Sequence, residues 1–432
     1  MNLIFHGSAG EVGRSCIELS IPSSNGNQRF LLDAGFKVHD GNPELPLSVS
    51  NISEIDGVLI THSHMDHIGA LPYFHHQGLL SPVFMTAMTK KLTRIMLTDS
   101  LHLELLRHHH PAYNDFDVSD VLNRVKEIKY YHLMKFGNLE FEYIPSGHIP
   151  GSSMILLKAN NKTILYSGDI NDEDTHLIHG MRTDFLKNHK IDVLICESTY
   201  GDREHKSRVS EQKRFLKSVK STINNGGSIL LPAFAIGRAQ ELIMLLDELD
   251  VKVPIYLDGM AKSVADTLIS SDVHIRNHSI LEKALSKVNY VNGKSKRHKI
   301  LNKQCIIVTT SGMVSGGPVM EYIKHFWHSK ESSIFLTGFQ AQGTNGRLLR
   351  DSGKAMIDGH TVRFECNIDN FDFSGHAGLK GILKLIKKSK PDVLILNHGD
   401  PNALASLSKK VSEDKMVDQV IVPENGHTLT IE

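Results

Sequence analysis

The segment that most restricts this chain is an apolar, β-branched run, GVLIT, that leads directly into His62-Ser63-His64-Met65-Asp66-His67. Three imidazoles and a carboxylate within six residues, just past a strand end, cannot all be separately buried, because each would need its own polar partner. A bound metal satisfies them together. Imidazole and carboxylate donors without thiolate suit catalytic zinc, which keeps a position open for water. Iron and manganese accept the same donors.

Other polar residues close apolar runs in the same way. Asp169 ends KTILYSGD, His398 ends DVLILNHGD, and His148 sits in the turn PSGHIPGSS. Alone, each reads as a turn histidine or a helix-capping aspartate. Beside the six-residue cluster they complete a set: two zinc ions about 3.5–4 Å apart need six or seven protein ligands and a carboxylate between them. His62, His64, Asp66, His67, His148, Asp169 and His398 supply that number, with Asp169 as the bridging carboxylate. Asp33, ending RFLLDAG, is placed to accept a hydrogen bond from a ligand histidine and so orient it.

These runs, with DVLICESTYG, GSILLPAFAIG, CIIVTTSGM and SSIFLTGFQ, alternate with helical patterns after residue 88, from 211 and from 237. Strands that deliver polar groups from their ends, covered by helices, predict a layered α/β enzyme. A length of 432 residues accommodates two or three domains of ~150 residues each. Cys16, Cys196, Cys305 and Cys366 are far apart, mostly in apolar runs, and read as reduced core residues of a cytoplasmic protein. No stretch approaches ~20 apolar residues and the N-terminus is not signal-like, so neither membrane insertion nor secretion is expected. Lys and Arg total 48 against 48 Asp and Glu, so a polyanionic partner must be held by a local patch. The basic run 292–304 reads as a solvated loop, as does the HHH tract at 108–110.

In order, EVGRSCIEL, THSHMDHIGALP, PSGHIPGSS, LYSGD, CESTYGDREH, LPAFAIGRAQEL, SGMVSGGP, GFQAQGTNGR, DFSGHAGL and NHGD span residues 11 to 400. Together they resemble the β-CASP ribonucleases of the metallo-β-lactamase superfamily. The resemblance implies an αββα sandwich with an inserted α/β domain: residues 1–200 and 366–432 for the sandwich, 201–365 for the insertion, and an active site in the cleft between them. It implies two zinc ions, with His398 on the second, and puts Glu197 and His376 at the scissile phosphate. Asp66, Glu197 and His376 are then the catalytic set. A metal-bound hydroxide would attack, and His376, kept charged by Glu197, would protonate the departing 3′-oxygen, leaving 5′-phosphate and 3′-hydroxyl ends.

Phosphate contacts are expected from Gly-rich loops that open helices, at Arg238, Ser311, Gly312 and Arg347. Arg14, Lys262 and His205 read equally as surface residues. His398 favours RNA, since the DNA-cleaving branch typically replaces it by an apolar residue. A DNA nuclease and an inactive RNA-binding scaffold are the alternatives, the second opposed by the complete ligand set. Asp400 stands where the family commonly has Glu, which bears on how His398 is oriented. Endonuclease action, with 5′–3′ exonuclease action as a further mode, and a homodimer are the remaining expectations. So is modest or partner-supplied specificity, as no further RNA-binding module is seen.

Overall fold

Side chains alternate between the two faces of a strand, and that alternation sets the layers of the first compact unit. In the computed structural model, which describes all residues except 25, 40, 41, 48, 107–110, 250 and 272–274, this unit comprises Met1–Asp174, Gly180–Glu204 and His376–Glu432. The HHH tract lies outside the described residues. One seven-stranded sheet runs Thr428–Thr430, Asn2–Gly7, Cys16–Ile21, Gln28–Leu32, Gly57–Leu59, Val83–Thr86, Val125–Ile128 in spatial order. The other runs Gln419–Ile421, Val393–Asn397, Val193–Glu197, Lys162–Tyr166, Ser153–Ala159, Leu139–Pro145, Met134–Phe136. Phe30 and Leu32 of the first sheet share a core with Phe141, Tyr143, Val193 and Ile195 of the second. Their neighbours point the other way. Leu31 packs with Ile68, Leu71, Leu97 and Leu101 on the first sheet's helices, while Leu194 and Cys196 pack with Ile382, Leu385 and Leu404 on the second's. The order of layers is helix, sheet, sheet, helix, an αββα sandwich.

The second unit, Thr175–His179 with His205–Gly375, holds a six-stranded sheet in the order Asn289–Tyr290, Ile255–Asp258, Ile306–Thr309, Ile229–Pro232, Ser333–Leu336, Asn367–Asn370. All its pairings are parallel. Leu230, Ile307 and Leu336 face Val319, Tyr322 and Ile323 on one side; Phe335 meets Phe215 and Phe371 on the other. Helices cover both faces, as a parallel sheet requires.

Two sequence expectations are corrected. The second unit does not stop at 365, because Asn367–Asn370 adds an edge strand to its sheet and Phe371 and Phe373 pack edge-to-face against Phe215 at ring distances of 5.2 and 5.6 Å. The run 292–304 is not a loop: Lys294–Ile300 is helical, fixed where Arg297 hydrogen-bonds the buried Asp258 and Glu321. The four cysteines are free and buried, and no described helix is long and apolar enough to cross a membrane.

Glu18, buried in the second strand of the first sheet, accepts two hydrogen bonds from Arg29 (2.8 and 2.9 Å) and faces His6 at 3.2 Å. Burial raises its pKa, but His6 and Arg29 outweigh that and hold the carboxyl at about 2, against an ordinary 4.5. The ionised form therefore stabilises the fold fully above pH ~4.5, and its contribution is lost as pH falls toward about 2. Glu18→Gln is expected to destabilise the protein by about 3 kcal/mol at pH 7. The gap from wild type should narrow between pH 5 and pH 3 in urea denaturation; a gap constant with pH would show that Glu18 acts through packing alone.

Candidate metal centre

Strand ends of both sandwich sheets deliver the cluster. Gly57–Leu59 runs on to His62 and His64, and a short helix, Met65–Ile68, carries Asp66 and His67. From the second sheet, Leu139–Pro145 precedes His148, Lys162–Tyr166 precedes Asp169, Val193–Glu197 ends on Glu197 itself, and Val393–Asn397 precedes His398. His62, His64, His148 and Asp169 offer ligand atoms that lie within 4.8 Å of one another, as do Asp66, His67 and His398. Asp169 faces both groups. Its Oδ2 is 3.4 Å from His62 Nε2 and 3.5 Å from His148 Nε2, while Oδ1 is 3.5 Å from His67 Nε2 and 3.4 Å from His398 Nδ1.

Two ligand atoms, His67 Nε2 and Asp169 Oδ1, are buried without a hydrogen-bond partner among the described residues. Leaving such an atom unsatisfied costs roughly 1–3 kcal/mol, and a cation between them relieves both. The electrostatics agree. Burial lowers His62 and pushes His64 down to about 4, keeping both rings in the neutral form that binds metal. Burial opposes ionisation of Asp66 and Asp169, yet the surrounding histidines hold both below the usual carboxylate range. At His67 burial is outweighed by Asp169, Asp33 and Asp66, which raise its pKa well above the ordinary value. A divalent cation bound at Nε2 would take the place of that proton. The residues fit a divalent metal.

A third group, Asp169, Glu197 and His376, adjoins the first two. His376 Nδ1 lies 3.1 and 3.2 Å from the two oxygens of Glu197 and 3.9 Å from Asp169. Glu197 Oε1 also accepts from the Ile170 amide at 2.6 Å. Burial opposes a charged His376 ring, but Glu197 and Asp169 raise its pKa to about 9.

Buried Asp33 accepts from the Thr61 amide (2.7 Å), the Thr61 hydroxyl, His67 Nδ1 (2.7 Å) and the Tyr166 hydroxyl (2.8 Å). Thr61 Oγ1 also lies 3.1 Å from His62 Nδ1, and Thr199 Oγ1 lies 3.3 Å from His398 Nδ1. Thr61, Tyr166 and Thr199 do not stand out in the sequence, although each lies one to three residues from a ligand or Glu197. Asp400 is exposed at the N-cap of helix Pro401–Glu413, so the hydroxyl of Thr199 orients His398 instead.

The expected phosphate contacts all lie in the second unit, after parallel strands. Arg238 is buried and bonded to Glu241, and Arg347 bonds to Asp351. Ser311 accepts from the Ser315 amide, and Gln340 of the neighbouring loop donates to the Gly312 carbonyl at 3.1 Å. Arg14 pairs with Glu11 and Glu44, His205 with Asp372, and Lys262 bonds to Asn292 and the Val291 carbonyl.

The αββα fold and this donor set define a metallo-β-lactamase-type hydrolase. Three family models match: a metallo-beta-lactamase superfamily domain over residues 24–199, a Beta-Casp domain over 239–349, and a Zn-dependent metallo-hydrolase RNA specificity domain over 361–423. The chain belongs to the β-CASP ribonuclease family. It is 37% identical over 405 residues to Probable RNase MJ4 of Methanocaldococcus jannaschii, covering 93% of each chain. It is 32% identical to RNase aCSPSF2 of Saccharolobus solfataricus, covering 98% of this chain and 84% of that one. Cleavage and polyadenylation specificity factor subunit 3-II of Arabidopsis thaliana is 29% identical, with 98% and 71% covered. A crystal structure of a protein of unknown function from Enterococcus faecalis shares the fold, with TM-score 0.63 at 14% identity and 100% and 99% of the chains covered.

One glycine decides whether the ligand loop closes. Hydrogen bonds from the amides of Ser15, Ala34 and Phe36 to the carbonyls of Asp66, His67 and Met65 clamp the Met65–Ile68 turn against Ser15 and residues 33–36, so tightly that a Cβ on Gly35 would fall within the Asp66 carbonyl. Gly35→Ala must push Asp66 and His67 away. Metal content by elemental analysis is expected to drop at least severalfold in the folded variant; full occupancy would show that the loop tolerates the shift.

Proposed function

We propose that this protein is a zinc-dependent ribonuclease that hydrolyses RNA phosphodiester bonds, with two cations held through Asp169. The observation that carries the reading is the position of that carboxylate, one oxygen toward His62 and His148, the other toward His67 and His398. The names of the relatives, RNase MJ4 and RNase aCSPSF2 among them, support RNA as the substrate. His62, His64, His148 and Asp169 would hold one cation, and Asp66, His67, His398 and Asp169 the other. Bound there, two divalent ions supply Lewis-acid polarisation of the phosphodiester and lower the pKa of water to about 7.

The chain's own groups do the rest. His376 holds a proton beside the cluster, and Glu197 fixes both its charge and its orientation through paired contacts to Nδ1. A histidinium so placed can protonate the departing 3′-oxygen, which leaves 5′-phosphate and 3′-hydroxyl ends. Buried Asp33, Thr61 and Thr199 orient the ligand rings. Cytoplasmic action is supported by four free, buried cysteines; a homodimer belongs to the same proposal and is tested by light scattering.

The test of the function is 5′-end mapping of products from a long RNA beside a matched DNA. Internal cuts in RNA with 5′-phosphate ends are expected, and 2′,3′-cyclic phosphate ends would mean attack by the RNA's own 2′-hydroxyl. Stepwise shortening from the 5′ end would assign the exonuclease mode.

The role of His376 is tested by mutation. His376→Ala should retain the metal and RNA affinity while losing about 10²–10⁴ in cleavage rate, whereas Asp169→Ala should lose most of the metal. His376 acts as a donor only while charged, so the rate should fall as pH rises through its raised pKa. Glu197→Gln removes the carboxylate that does most to raise it, and the basic limb of the pH–rate profile should move to lower pH. Loss of metal from His376→Ala would place His376 among the ligands instead.

A further inference from the structure

The neutral balance of the chain makes any local excess of charge informative, and one helix carries such an excess next to the metal centre. Helix Leu379–Ser389 starts three residues after His376. Its entry is tied to the segment that follows Asp169: the Ala377 amide donates to the Ile170 carbonyl at 2.6 Å, Gly381 abuts Asp172, and Lys384 Nζ reaches Asp172 at 3.4 Å. Ile382, Leu385 and Ile386 are buried in the sandwich. Between 379 and 390 every exposed residue is a lysine, at 380, 384, 387, 388 and 390, and no residue there is acidic.

This pattern works against the helix. Lys380 and Lys384, and Lys384 and Lys388, are like-charge pairs four residues apart, which destabilise a helix. The dipole favours Lys387 and Lys388 in the last turn but disfavours Lys380 in the first. Several other helices offset cations internally, Arg124 with Asp120, Arg347 with Asp351, Lys409 with Glu413 and Lys410 with Asp414, and the basic helix Lys294–Ile300 is anchored through Arg297 to Asp258 and Glu321. Here only Lys384 forms an ion pair with a described residue, although Asp184 lies near enough to Lys388 to feel its charge. A cationic face of about 16 Å that Asp172, Asp184 and Glu204, which accepts from the Lys380 amide, offset only in part is complementary to a phosphate backbone.

We propose that Lys380, Lys384, Lys387 and Lys388 form a phosphate-binding track for single-stranded RNA that continues from the metal centre along this helix. The proposal rests on the ribonuclease reading and extends it to where the substrate runs. The track touches phosphates and not bases, so it adds affinity without sequence preference.

The test compares two full-length, metal-loaded variants with the same loss of charge: Lys380→Gln/Lys387→Gln/Lys388→Gln on this helix, and Lys409→Gln/Lys410→Gln/Lys415→Gln on and beside helix Pro401–Glu413. Thermal midpoints check that both fold. Fluorescence anisotropy with a labelled oligouridylate, in a salt series, gives Kd and its salt dependence. The first variant should bind about 10- to 100-fold more weakly at low salt, with a log–log slope lower by about 2, since each phosphate that a lysine neutralises on a single strand adds roughly 0.7 to that slope. The second should stay within about twofold of wild type. Equal weakening of both variants would overturn the proposal, because net charge alone would then account for the effect, and so would no weakening of the first. If wild type shows no salt-dependent RNA binding, the ribonuclease reading fails as well; retention of that binding with an unchanged first variant removes the track alone.

Discussion

A single buried carboxylate organises the sandwich. Asp169 is almost fully shielded from water, with its charged oxygens 3.4–3.5 Å from four imidazoles. An isolated charge in such a place would cost many kcal/mol, so the fold has to bring compensating groups from distant parts of the chain. It does so by aligning strand ends: His62 to His67 come from one sheet, His148, Asp169, Glu197 and His398 from the other. The face-to-face packing of Phe30, Phe141, Tyr143 and Ile195 is thus also what aligns the cluster.

Behind the ligands lies a layer of hydrogen bonds with little slack. Asp33 receives donors from Thr61, His67 and Tyr166 at 2.7–3.0 Å, and Tyr166 is held in turn by Ser15 at 3.0 Å. Donation from Nδ1–H of His67 to Asp33 leaves Nε2 to face Asp169, so the tautomer a ligand would need is set from outside the cluster. Burial of this layer is what makes it firm, because a buried acceptor that loses one donor cannot replace it with water.

The strands and the cluster were legible for one reason. Runs such as KTILYSGD and DVLILNHGD are too apolar to lie anywhere but inside a sheet, and a polar residue that ends such a run projects from the sheet's end. The hydroxyls of Thr61, Tyr166 and Thr199 carried no comparable signal, since threonine and tyrosine are common within strands for their β-propensity alone. Gly35 was hidden for a different reason: what excludes a side chain there is the Asp66 carbonyl, more than thirty residues away. The basic run at 292–304 misled because its composition is that of a solvated loop. Its helix depends on Arg297 reaching Asp258, a tertiary contact that periodicity does not register.

The same geometry bears on whether His376 is an acid or a ligand. Its Nδ1 is 3.9 Å from Asp169, near enough for the group to be read as a third set of metal donors. Against that, Nδ1 already faces both oxygens of Glu197, and Glu197 is itself held by the Ile170 amide. A cation bound at Nδ1 would displace a buried, charge-assisted pair of about twice the strength of a neutral hydrogen bond. A cation would have a less costly place to sit, between His67 Nε2 and Asp169 Oδ1, where burial has left two atoms without hydrogen-bond partners among the described residues. A ring whose Nδ1 is already engaged by a fixed carboxylate, next to a His67 Nε2 and an Asp169 Oδ1 that lack hydrogen-bond partners among the described residues, suits the proposed role of proton donor more than that of ligand.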